Sequence, residues 1–119
     1  MDSIYVLETN SEYVSRKTGK RYPISEYTIF DDLHSAKFTI DLDTKIAEEQ
    51  AQMNYEPERE TKNSLIPSVG NFKITRYDEV DVGKLKKLYG HHDFLMDYPK
   101  FDKKYRNEVV YQIIVDFTK

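Results

Sequence analysis

The chain has 119 residues, with 18 basic and 21 acidic side chains, a net charge of −3 and no cysteine. These figures exclude a disulfide framework, zinc–thiolate and iron–sulfur sites and a cysteine nucleophile. They also lack the positive excess of a chain built throughout to bind nucleic acid. The longest aliphatic run, Ile113-Ile114-Val115, is far too short for a membrane-spanning helix, so the expectation is one soluble domain over residues 1–119, in the cytoplasm.

In chain order, Ile4–Glu8 alternates with apolar side chains on both faces, and Ser11–Arg16 is a further extended segment. Arg16-Lys17-Thr18-Gly19-Lys20-Arg21 follows, with Gly19 supplying a positive φ for a short loop, and Ile24–Phe30 returns as a strand. The opening is therefore a hairpin or a three-stranded start. Asp31-Asp32 offers a helix N-cap. Beyond it, Leu33, Ala36 and Ile40 fit helical spacing, whereas Phe38, Ile40 and Leu42 fit the period of a strand. The helix is favoured, and the strand stays open. Asp43–Asn54 reads as a separate helix, capped by Asp43 or Thr44, with an apolar edge of Ile46, Ala47, Ala51 and Met53.

Tyr55–Asn71 contains Pro57, Pro67 and Gly70 and reads as the longest loop. Phe72–Tyr77 alternates strictly, as a strand does. Asp81 caps a short helix with Val82, Leu85, Leu88 and Tyr89 on one face, Lys84, Lys86 and Lys87 on the other, and Gly90 as its stop. Asp93–Tyr98 adds a helical turn halted by Pro99, which opens another turn carrying Phe101 and Tyr105. Glu108–Thr118 has the most regular alternation in the chain and predicts a central or near-central strand with Ile113 and Val115 buried. The sum is α+β: a small, mostly antiparallel sheet of about four to five strands with about two to three helices packed on one face.

Little in the sequence carries chemistry. The glycines stand apart at 19, 70, 83 and 90, so phosphate-cradling fingerprints are missing. His91 and His92 are adjacent and followed by Asp93, a weak metal-ligand pattern because neighbours point in different directions. They read as loop residues, and no metal or cofactor is expected. The carboxylates Asp31, Asp32, Asp41 and Asp43 carry no mark of acid–base work, and no nucleophile elbow is present. The expectation is a non-enzymatic protein.

Charge is where the sequence speaks. Arg16, Lys17, Lys20 and Arg21 place four cations at a hairpin tip, fit for phosphates or an acidic protein surface; a solubilising turn that guards the sheet edge explains them equally. Lys84, Lys86, Lys87, Lys103, Lys104 and Arg106 form a second basic group interleaved with aromatics at core spacing. Residues 41–60 hold seven acidic and two basic side chains. Asp41, Asp43, Glu48, Glu49, Glu56, Glu58 and Glu60 there either solvate a helix and loop or imitate a phosphate backbone toward a basic partner.

A small, cysteine-free, acidic, motif-poor α+β chain resembles in style the accessory proteins of phages and mobile elements, including inhibitors of host defence nucleases such as anti-CRISPR proteins. The resemblance rests on no motif and assigns no residue. The expected function is a protein-binding module that inhibits a nucleic-acid-handling enzyme of the host by steric or electrostatic blockade. The alternative is a small nucleic-acid-binding accessory protein that uses the tip at 16–21 and the C-terminal lysines.

Overall fold

A computed structural model of the protein describes residues 2–52, 65–89 and 94–118. They form β1 (Asp2–Ser15), β2 (Arg21–Phe30), α1 (Leu33–Gln52), β3 (Leu65–Val80), α2 (Val82–Tyr89), α3 (Phe94–Lys104) and β4 (Arg106–Asp116). The strands make one four-stranded antiparallel sheet in the order β2-β1-β3-β4. This is the expected α+β class.

The two segments read separately at the N-terminus are one strand, because β1 is paired on both sides: Glu8 lies opposite Tyr27 on β2 and Lys73 on β3. The hairpin closes as expected. Gly19 takes φ +72°, its N–H donates to the Ser15 carbonyl at 2.8 Å, and the Ser15 N–H donates to the Lys20 carbonyl at 3.0 Å. Asp32 caps α1, its carboxylate accepting the Ser35 N–H at 2.7 Å. That bond holds the Asp32 carboxyl below its ordinary value. α1 then runs unbroken to Gln52, so Asp43 and Thr44 are interior residues rather than caps, and the strand reading of 33–42 fails.

Alternation sends side chains to two faces. Ile4 and Val6 join Tyr77, Val80, Leu85 and Phe101 in one cluster, covered by α2 and α3. Leu7 joins Phe72, Ile74, Ala36 and Ile40 in a second, covered by α1. Successive residues of β1 thus feed opposite clusters, and the helices lie on both faces of the sheet rather than on one. On the α3 side the Tyr77 hydroxyl donates to Asp102 at 2.7 Å and meets the Tyr98 hydroxyl, while Tyr27 stacks on Tyr98 with centroids 4.2 Å apart.

Three further expectations are corrected. β3 begins at Leu65, so Pro67 and Gly70 belong to a strand and not to the loop. Pro67 is accommodated where the β1–β3 register slips between Glu12 and Tyr13. At Gly70 a Cβ would come within 2.8 Å of the Phe72 ring and 3.0 Å of Phe117. Pro99 lies inside α3 and does not halt it. β4 is an edge strand, and its Ile113 is 36 % exposed and its Val115 only partly covered, because half its neighbours are solvent. Among the described residues no helix is long and apolar enough to cross a membrane.

Candidate functional site

α1 has two apolar faces. The sheet-facing stripe buries Ala36 and Ile40 and half-buries Leu33 and Ala47. A second stripe, Phe38, Leu42 and Ile46, recurs at i, i+4 and i+8, and its members are 61 %, 47 % and 46 % exposed. On a helix that spacing makes a continuous ridge, and most of this one faces away from the sheet. Scattered exposed apolar residues are ordinary, whereas here three stand in one row on the helix, which makes this face the candidate site.

Charge borders the ridge. Asp41, Glu48 and Glu49 are exposed on α1, with Lys45 among them. Ile46 also lines a cavity of about 260 Å³ between the second half of α1 and the tip-ward part of the sheet. Tyr13, Glu26, Asp43, Phe72 and Phe117 line the same cavity, and no cation lines it among the described residues. Burial first, and the Glu26 carboxylate second, push the Asp43 carboxyl above its ordinary value. Burial, then Glu26 and Asp43, raise the Tyr13 hydroxyl. The groove is therefore a site of negative potential with aromatic walls, joined to an apolar ridge through Ile46. Chemically it suits a cationic side chain.

The sequence-predicted residues separate into two places. Asp41, Asp43, Glu48 and Glu49 belong to this one surface, Asp43 in the groove and the others along the helix. Glu56, Glu58 and Glu60 lie outside the described residues, as do His91, His92 and Gly90. Arg16, Lys17, Lys20 and Arg21 sit apart at the exposed hairpin end. They are not a uniform positive finger: Arg21 is ion-paired to Glu12 at 2.7 Å, and Lys20 lies 5.4 Å from the centre of the Tyr22 ring.

Sequence reasoning missed the outer ridge and the groove's Tyr13 and Glu26. The ridge has a signal, three apolar residues four apart within good helix formers, and the strand-like alternation of Phe38, Ile40 and Leu42 obscured it. Glu26 has none, since only cross-strand register brings it beneath α1. Comparison with known protein families, with curated proteins and with solved structures finds no significant match for this chain.

Proposed function

We propose that the protein is a non-enzymatic protein-binding module that seats the outer face of α1 in an apolar groove of a basic partner. The observation that carries this reading is the continuity of the Phe38–Leu42–Ile46 ridge with the Glu26/Asp43 groove. An amphipathic helix face read as i, i+4, i+8 anchors is a recurring mode of protein recognition. The surrounding carboxylates would speed encounter with a positive surface and select against acidic ones. Nucleic-acid-handling enzymes offer such surfaces, and a helix seated there blocks access sterically and electrostatically. A cysteine-free chain suits the reducing cytoplasm where such enzymes work.

The nucleic-acid alternative draws less support, because Glu12 already balances Arg21 at the tip. The test is comparative capture from lysate of the source cells, wild type against Phe38→Ser/Leu42→Ser, with mass spectrometry as readout. A protein held by wild type and lost by the variant is then purified, and Glu48→Lys/Glu49→Lys should slow its association, most at low salt. Identical capture by both proteins overturns the reading. Direct binding to DNA or RNA that disappears when Arg16, Lys17, Lys20 and Arg21 are neutralised transfers the function to the tip.

A further inference from the structure

The two edges of the sheet are protected differently. β2 carries Arg21, Pro23 and Glu26, devices that discourage a further strand from pairing. β4 runs Val109-Val110-Tyr111-Gln112-Ile113-Ile114-Val115 without a charge, a proline or a glycine. Among the described residues no strand pairs with its outer side. Val109 is 53 % exposed and Ile114 64 % exposed. An uncharged, β-branched segment on an open edge is a template for another strand; the one protective device in this stretch is the bulge at Val110.

Register fixes which side chains a second copy of the strand would meet. Val109, Gln112 and Ile114 lie opposite Thr75, Lys73 and Asn71, on the face that α2 and α3 cover in part. Tyr111 and Ile113 lie opposite Ile74 and Phe72, on the α1 face. The alternation breaks at Val110, where the β3–β4 register shifts by one residue. An antiparallel copy of the same strand matches this irregular pattern when a two-fold axis passes through Gln112. Gln112 then faces its own copy, Ile113 faces the second copy's Tyr111, and, with Val110 as the extra residue in both strands, Ile114 faces the second copy's Val109. Every pair shares a face, and the two most exposed apolar side chains of the strand cover one another. The Arg106 end of each strand lies beside the Asp116 end of the other, and Arg106 is paired within its own chain to Glu79 at 3.3 Å. Glu108, the remaining charge, is held by Arg76 at 2.8 Å.

We infer that the outer edge of β4 is the dimer interface of this protein, joining two sheets into one continuous antiparallel sheet about a two-fold axis at Gln112. Such isologous strand addition uses the same patch on both partners, as a closed dimer requires.

Because the native chain has no cysteine, Gln112→Cys gives one thiol per chain. Antiparallel partners have Cα atoms about 4.5–5.5 Å apart, within disulfide reach. Under mild oxidation Gln112→Cys should form a covalent dimer, and Ser25→Cys on the β2 edge should not. By sedimentation the wild type should have twice the chain mass, and Ile114→Lys should have the chain mass with unchanged circular dichroism. A wild type that stays monomeric at high concentration overturns the inference. So does a dimer that survives Ile114→Lys, or one that Phe38→Glu dissociates, which would place the contact on α1. Cross-linking through Ser25→Cys but not Gln112→Cys would move it to β2.

Discussion

The two-faced reading of α1 makes a sharp prediction about two residues of one helix. Ile40 is 2 % exposed and packs with Leu7, Phe72 and Ile74, whereas Phe38 has the larger side chain but is 61 % exposed. Ile40→Ala removes buried methylenes and leaves a cavity at the sheet, so it should cost about 2–5 kcal/mol. Phe38→Ala removes more atoms from a place where most already touch water. Its small packing loss is opposed by the better helix propensity of alanine, worth up to roughly 0.7 kcal/mol, so the net should stay within about 0.5 kcal/mol of zero. For a chain of this length each kcal/mol moves Tm by roughly 3–6 °C, so Ile40→Ala should melt several degrees lower and Phe38→Ala almost with wild type. Urea unfolding followed by circular dichroism measures both, with an unchanged m-value as the check that the transition is the same. A costly Phe38→Ala, or a harmless Ile40→Ala, would refute the placement of the helix on the sheet.

Gly70→Ala should lose about 1–3 kcal/mol, since its Cβ would meet the Phe72 and Phe117 rings, while Gly83→Ala, with its nearest neighbour at 3.4 Å, should be neutral or stabilising in the same urea titration. Neutralising Arg16, Lys17, Lys20 and Arg21 together should leave Tm nearly unchanged by calorimetry, because exposed charges contribute little to stability; a large drop would show that the tip holds the hairpin. Asp32→Asn keeps a capping oxygen and loses the charge. Hydrogen bonds from Ser35 lower the folded-state pKa of Asp32 below 3.8, so its charge stabilises α1 fully above that pH and progressively less as pH falls through the lower folded value. The Tm difference between wild type and variant should therefore shrink on acidification, and a difference that stays constant would contradict the cap's electrostatic role.

Much of the fold was legible because local chemistry decided it. Gly19 marked the turn, Asp32 and Asp81 marked helix starts, and each does what its residue type suggests: the Asp81 carboxylate accepts the Lys84 N–H at 3.1 Å. The class followed from the alternation of Phe72–Tyr77 and Glu108–Thr118. Errors arose where tertiary pairing outweighs local preference. Pro67 and Gly70 look like loop residues, but a register slip accommodates one and the close approach of two phenylalanine rings requires the other. The apolar pattern of β4 resembles that of a central strand, and nothing local distinguishes a strand buried by its own sheet from one left open at an edge. The face each helix covers was equally hidden, since it depends on which residues of β1 each cluster recruits.

The site was legible in charge and illegible in shape. Acidic residues 41, 43, 48 and 49 were visible, but on an ordinary solvated helix they carry no more than solubility. What gives them a direction is the pair of residues that made the helix look like a strand. A helix needs one apolar stripe to hold it on a sheet, and Leu33, Ala36, Ile40 and Ala47 supply it. Phe38 and Leu42 add little to that packing, and polar helix formers in their place would leave the core intact. Burying a large apolar side chain completely is worth about 1.5–3 kcal/mol, and Phe38 and Leu42, 61 % and 47 % exposed, realise only part of that in the fold. The ambiguity between periods of two and of three to four was thus a physical property of the segment: apolar residues serving the fold and apolar residues facing outward were interleaved in one stretch of chain.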